Sequence, residues 1–385
     1  MTTAQSLLAR LVAIDSRNPA LVPGGPGETA IADVVAGFLR EAGLEIELVE
    51  PRPVRPSVVG WLRGVGGGPA LLLNAHTDTV GFGALADPLT PRIEHGRLYG
   101  RGTYDMKGGL AAILAAAAEL AQGPRLRGDL IVTAVADEEH ASLGTAAVLA
   151  HLQATGARVD GAIVTEPTEM QLCVAHKGFA WATIATRGHA AHGSRRADGV
   201  DAIAHMGRVL VALERLDAQL QERPAHPLLG HGSLHASLIE GGTELSTYPA
   251  RCVLQVERRT LPGETAESVA GELAAILGEL RAADPRFSAE SELTLFRPPL
   301  ETAADEPIVM ALAAAAGQAL GAAPPLVGAT FWMDSALLGA AGIPTAIFGP
   351  RGAGAHADVE WVDLVSVQTC AEILVATARA FCGMA

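Results

Sequence analysis

The sequence predicts an α/β protein: a larger domain with a largely parallel sheet, into which a small α+β (βαββαβ) unit is inserted. Three observations carry this. Strand-like and helix-like segments alternate through the first 178 residues. From Phe179 to about Phe296 the order becomes strand, helix, strand, strand, helix, strand, and from 297 to 385 the earlier alternation resumes. The larger domain is therefore 1–178 with 297–385, and the inserted unit is 179–296.

Each element has a local reason. The opening SLLARLVAIDSRNP is an amphipathic helix interrupted by Arg10 and Asp15, without the cationic start and apolar run of a signal peptide. GETAIADVVAGFLREAG (27–43) has helical periodicity and stops at Gly43, while EIELVE (45–50) alternates like a strand. SVVGWLRG (57–64), ALLLNAHTD (70–78), DLIVTAVAD (129–137) and GAIVTEP (161–167) are apolar runs of strand length, and GGLAAILAAAAELAQG (108–123) is an Ala-rich helix. In the insertion, FAWATIATRG, SLHASLIEGG, RCVLQVERR and ESELTLF read as strands, with helices over 200–220 and in ESVAGELAAILGELRAAD. A helix near 307–320, a strand in IPTAIFG and a closing helix complete the chain.

Composition narrows the function classes. Of 385 residues, 49% are hydrophobic and 18% charged, as in a globular protein rather than a disordered one. The net charge is -14 with no basic tract, so nucleic acid and anionic membranes are poor partners. No apolar run approaches 18 residues unbroken, so no membrane span is expected. Cys173, Cys252, Cys370 and Cys382 lack Cys-x-x-Cys spacing and read as reduced thiols in a cytoplasmic protein.

The chemistry sits where apolar strands end. LLLNAHTDTV (71–80) leads into His76 and Asp78, and LIVTAVADEEH (130–140) ends in Asp137, Glu138 and Glu139. GRGTYDMKGG (100–109) places Asp105 in a glycine-rich turn, VTEPT carries Glu166, and GAGAHADVEW carries His356. Ligands of open α/β sheets lie beyond the carboxyl ends of the strands. Carboxylates and imidazoles there are costly unless something binds them, and a pair of divalent cations would. Zinc takes His nitrogen and carboxylate oxygen, and one carboxylate can bridge two ions. His76, Asp105, Glu139, Glu166 and His356 are the candidate ligands. Asp78, two residues after His76 on the same strand face, is placed to accept the second imidazole N–H. Glu138, beside a ligand, is free to act as a base.

These motifs, His76-x-Asp78, Asp105-Met-Lys-Gly108, Asp137-Glu-Glu139, Glu166-Pro-Thr168 and the late His356, resemble those of the co-catalytic di-zinc aminoacylase/carboxypeptidase family, and the resemblance spans essentially the whole chain. The family includes acetylornithine deacetylase, succinyl-diaminopimelate desuccinylase and glutamate carboxypeptidase. The resemblance implies two Zn2+ (Co2+ or Mn2+ as substitutes), one on His76 and Glu166, the other on Glu139 and His356, with Asp105 bridging. It implies a cis peptide between Asp105 and Met106, a catalytic role for 1–178 with 297–385, and a lid and homodimer contact through 179–296. His192, in TRGHAAHGSR (186–195), matches the family's oxyanion donor, whereas His189 does not. Arg259, in ERRTLPGET (257–265), matches the arginine that holds a substrate carboxylate; Arg258 points to the other strand face.

The expected reaction is metal-dependent hydrolysis of the amide bond of an N-acyl amino acid. A metal-bridging hydroxide attacks, and Glu138 moves the proton as general base and then acid. Two dications against three ligand carboxylates leave the centre slightly positive, which suits an oxyanion. Alternatives are a carboxypeptidase or dipeptidase on short peptides, a carbamoyl-amide hydrolase, and a non-catalytic binding protein on the same fold. Departures from the family pattern are Ser246 and Thr247 in IEGGTELSTYP, where an Asn is usual, and His140, where a Gly is usual.

Overall fold

Leu71–His76, Leu130–Val135 and Gly161–Val164 form strands buried at every position. That explains their unbroken apolar runs, because a strand covered on both faces has no solvent side to keep polar. The structure is a computed structural model describing residues 4–385, and the chain forms two units. The first takes the chain up to Val174, Thr302–Val327 and Met333–Ala385; the second is Ala175–Glu301 with Gly328–Trp332.

In the first unit the three buried strands and Thr345–Ile347 pair in parallel, in the order Leu130–Val135, Leu71–His76, Gly161–Val164, Thr345–Ile347. Ser57–Leu62 and Glu45–Val49 extend one side antiparallel, and on the other Cys173 pairs antiparallel with Ile347. Because the four central strands point the same way, their carboxyl ends share one rim. His76, the Asp137–Glu139 turn and Glu166 all leave the sheet along it.

Helices cover the sheet. Thr29–Ala42 ends at Gly43, whose φ of 102° only glycine adopts readily. Ten of the fifteen residues of Gly108–Gln122 are buried, and its alanines let it lie close to its neighbours. At Gly109 a Cβ would stand 2.1 Å from the Thr165 carbonyl oxygen, so only glycine lets this helix start against the strand end that presents Glu166. The closing helix, Leu364–Cys382, begins at Asp363, whose side chain accepts the Ser366 N–H. It is long and apolar enough to cross a membrane, yet 61% of its most apolar window is buried inside the protein. A second, small sheet joins Gly352–Ala353, Trp361–Asp363, Arg97–Tyr99 and Arg92–Glu94. It brackets the His356 loop and ends just before the Asp105 turn.

The second unit is a four-stranded antiparallel sheet, ordered Ser233–Gly241, Arg251–Thr260, Gly178–Arg187, Ser288–Arg297, with helices Ala202–Glu222 and Ala266–Ala283. Burial alternates along Arg251–Thr260, as a one-sided sheet requires. Ile184, Met206, Val209, Leu254, Leu273 and Phe287 share its core. Asp201 caps the first helix by accepting the Ala204 N–H, and Thr265 with Ser268 forms a reciprocal cap on the second.

His176 is fully buried in this unit, its Nδ1 3.0 Å from the Lys177 carbonyl oxygen. Burial pushes its imidazole down from 6.5 to about 4. The unfolded chain therefore binds this proton first, so His176's contribution to stability is full above pH 6.5 and drains away as pH falls through about 4. The stability gap between wild type and His176→Gln should narrow by roughly 2–3 kcal/mol between about pH 7.5 and about pH 4.5, read by urea unfolding. A gap independent of pH would show that His176 titrates normally.

Candidate metal centre

His76 is the last residue of its strand and is buried. Its Nε2 lies 3.1 Å from Asp105 Oδ1 and 3.8 Å from Glu166 Oε1, while its Nδ1 is 3.0 Å from the Asp78 carbonyl oxygen. An N–H on Nδ1 donated to that carbonyl leaves the Nε2 lone pair facing the carboxylates. The partner expected for Nδ1 was the Asp78 carboxylate; it stands 3.6 Å away and has other work. It accepts the backbone N–H groups of Glu138 (3.1 Å) and Glu139 (3.2 Å) and an N–H of the Asn18 amide (2.8 Å).

Asp105 sits in the tight turn Thr103–Lys107, entered through Gly102 at φ 81°, and its peptide bond to Met106 is cis. Its second oxygen, Oδ2, is 3.4 Å from His356 Nε2, which is 2.9 Å from Glu139 Oε2. Five side chains from distant parts of the sequence thus form two trios, His76–Asp105–Glu166 and Asp105–Glu139–His356. In each, the donor atoms lie within 4.8 Å of one another, and Asp105 belongs to both.

Crowded buried carboxylates set the electrostatics. Burial and the charge of Glu166 push the Glu138 carboxyl well above the usual carboxylate range. Burial likewise raises Glu139, and lifts Glu166 to about 8. Burial acts to raise Asp105 too, but hydrogen bonds from His356 and His76 outweigh it and hold this carboxyl below its usual value. Burial works against charge on His76, yet Asp105 and Glu166 keep it well above the ordinary imidazole value. Hydrogen bonds to Asp105 and Glu139 lift His356 to about 10. Four carboxylates crowd two imidazoles in a poorly solvated place, so ionising all of them is disfavoured without further positive charge. In addition, Glu139 Oε1 is buried without a hydrogen-bond partner. Oxygen and imidazole donors in two trios with a shared carboxylate are the chemistry that a pair of divalent cations takes.

The supporting residues escape sequence reasoning. Asn18, wholly buried, donates to both Asp78 and Asp137, and Arg55 donates to Asp137 and pairs with buried Glu28. Asp137 adopts φ 69°, which turns the chain so that Glu138 and Glu139 face the rim. Asp334 is buried and accepts the Thr145 hydroxyl; its one sequence signal is a lone acid amid the apolar FWMDSALLGA. Lys107 is buried too, donating to the carbonyls of Leu11 and Ile14.

Other candidates lie in the second unit. His192 is exposed, and its Nδ1 accepts the Ser194 N–H at 3.2 Å. Its loop is pinned by the Gly193 N–H on the Ser246 carbonyl and a backbone bridge from His192 to Thr247. Arg259 is held by Glu257 at 2.7 Å, with its guanidinium over the Phe179 ring. Arg258 is buried among Glu264 and Glu272, a structural setting. In the first unit, His140 is exposed and 3.9 Å from Asp137, too far for a hydrogen bond.

The sequence matches peptidase family M20/M25/M40 over residues 72–380. It is 31% identical to the acetylornithine deacetylase of Myxococcus xanthus over 354 residues, 90% of this chain and 87% of that protein. With the acetylornithine deacetylase of Proteus mirabilis (strain HI4320) it shares 30% identity over 390 residues, 99% and 97% of the two chains. Among solved structures, the YXEP protein of Bacillus subtilis, a dinuclear metal binding peptidase from the M20 family, matches with a TM-score of 0.75 at 17% identity, covering 97% of this chain and 96% of that one.

Proposed function

Since the chain belongs to peptidase family M20/M25/M40 and is a metal-dependent amidohydrolase, we propose that it cleaves the amide bond of an N-acyl amino acid, in the manner of a deacetylase or desuccinylase. The single observation that carries this is the pair of trios sharing Asp105, with Glu138 next in the chain to Glu139. The preference for a deacylase rests on the acetylornithine deacetylases, to which the chain aligns over nearly its full length.

His76 and Glu166 would hold one cation, Glu139 and His356 the other, with Asp105 common to both; zinc suits the donors, and cobalt or manganese would substitute. Bound there, the cations supply Lewis acidity and lower the pKa of water. Glu138 takes a proton from the attacking water and delivers it to the departing nitrogen, so the acyl carbon gains oxygen as its bond to nitrogen breaks. His192 is assigned the oxyanion donor. Nδ1 is engaged by Ser194, 2.8 Å from its Oγ and 3.2 Å from its N–H, which leaves Nε2 as the ring nitrogen that would donate to the oxyanion. Arg259, steadied by Glu257 and Phe179, is assigned the amino acid's carboxylate. Arg259→Ala should raise KM by about 10–100-fold with kcat little changed; an unaltered KM would free Arg259 from that role.

The second unit also supports a homodimer. Leu238 and Ile239 on the edge strand Ser233–Gly241, with Ile203 and Val211 on the neighbouring helix, are exposed apolar side chains, and the outer edge of that strand has no partner strand among the described residues. Sedimentation of an active monomer would remove the dimer from the proposal. The buried thiols fit a cytoplasmic location, and the acidic balance fits small-molecule substrates rather than nucleic acid or membranes.

The test is turnover by zinc- and cobalt-loaded enzyme of acetyl-ornithine, succinyl-diaminopimelate, acyl-glutamate, dipeptides and a carbamoyl amino acid. An acylated amino acid should lead. Preference for dipeptides would make it a dipeptidase or carboxypeptidase, and preference for the carbamoyl compound a carbamoyl-amide hydrolase. No turnover of any of them by fully loaded protein would favour a binding protein on this fold.

A further inference from the structure

One buried ion pair knots together the turns that present the candidate ligands. The Glu360 carboxylate accepts four hydrogen bonds: at Oε1 from the N–H groups of Tyr104 (2.9 Å) and Asp105 (3.1 Å), and at Oε2 from Gly102 N–H (2.9 Å) and Arg101 Nη1 (2.8 Å). Its side chain is 1% exposed and that of Arg101 2%. The rest of the guanidinium reaches the carbonyls of Gly81 (3.0 Å), Phe82 (3.4 Å) and Ala357 (2.9 Å). Ala357 follows His356, and Gly81 and Phe82 follow the His76–Asp78 segment.

A carboxylate that accepts four hydrogen bonds has no lone pair free for a cation, so Glu360 is not a further ligand. Nor does its burial serve stability well, since replacing a buried ion pair by apolar packing is often neutral or stabilising. What it does is geometric. The turn from Gly102 to Asp105 aims the N–H groups of Tyr104 and Asp105 at Glu360, which accepts both. Glu360 also lies four residues beyond His356, at the base of the loop that carries it.

We infer that Glu360, acting with Arg101, is a positioning residue that fixes Asp105 and His356 relative to each other, and so sets the affinity of the cation site made by Asp105, Glu139 and His356. The inference rests on the reading of those residues as metal ligands. In Glu360→Gln an amide NH2 replaces one carboxylate oxygen and opposes either the donors of Gly102 and Arg101 or those of Tyr104 and Asp105. The turn must then shift although the side chain keeps its size.

The experiment is calorimetric zinc titration against a competing chelator on the full chain, with thermal unfolding in parallel. Wild type should take up two equivalents. Glu360→Gln should keep one near wild-type affinity and bind the second about 10–100-fold more weakly, with a changed absorption spectrum for the second equivalent of cobalt. Arg101→Lys, which keeps the charge but not the fork, should weaken the same equivalent and stands in if Glu360→Gln does not fold. Arg258→Gln, which breaks a buried pair in the other unit, should lower the unfolding temperature and leave zinc affinity alone. If Glu360→Gln and Arg101→Lys melt early yet bind both equivalents as wild type does, Glu360 is merely structural and the inference is wrong. A wild type that takes up no zinc would instead defeat the metal reading beneath it.

Discussion

Glu138→Ala should retain both equivalents of metal and lose turnover by about 10²–10⁴-fold. Metal is kept because the Glu138 side chain belongs to neither trio of candidate ligands. Its backbone N–H, the anchor to Asp78, survives the substitution, so Glu139 stays in place. Activity is lost because water is a weak nucleophile until its proton has somewhere to go, and an amine is a poor leaving group until it gains one. Glu139→Ala is the contrasting variant, since it removes a candidate ligand and should lower metal content as well. Glu138→Ala turning over within tenfold of wild type would strip Glu138 of the proton-transfer role.

The second large effect concerns the shared carboxylate. Asp105→Ala should abolish uptake of both cations, whereas His356→Ala and Glu166→Ala should each abolish one, because only Asp105 stands in both trios. Thermal stability should follow. A cation held at a thousand times its dissociation constant stabilises the folded chain by about 4 kcal/mol, and that increment disappears with the site. A strong chelator should inactivate wild type to the same end, with zinc, cobalt or manganese restoring it. Two equivalents of metal bound by Asp105→Ala, measured by elemental analysis after gel filtration, would mean that the ions sit elsewhere.

Legibility followed from how locally each feature is encoded. Leu71–His76 and Leu130–Val135 were readable because burial on both faces leaves unbroken apolar runs, and a polar residue ending such a run stands out. Arg251–Thr260 was readable for the opposite reason, its regular alternation. Arg92–Glu94, Arg97–Tyr99 and Trp361–Asp363 are three residues each, too short for any period to show. Helix Leu143–Ala154 starts after Ser142 in a left-handed conformation and has alanines around its circumference, so neither cap nor face announced it. Gly328–Trp332 packs with the second unit although it follows the chain's return to the first. Among side chains, His76, Asp105 and Glu139 sat in recognisable strings. Asn18, Arg55, Arg101 and Glu360 did not, because each acts on a partner far along the chain: Asn18 on Asp137, Arg101 on Glu360. Adjacency shows Asp78 beside His76, 3.6 Å from its Nδ1, but not the Glu138 and Glu139 N–H groups that the same carboxylate accepts from the next strand.

Hanging two consecutive residues from one aspartate has a price for anyone redesigning this protein. Glu138 and Glu139 are tethered by their main-chain N–H groups to the same Asp78 side chain. An engineer seeking room for a bulkier ion by retreating Glu139 would drag the neighbouring glutamate out of line with the scissile bond. Widening the cradle from the His356 side, whose side chain is 54% solvent-accessible, leaves that tether untouched.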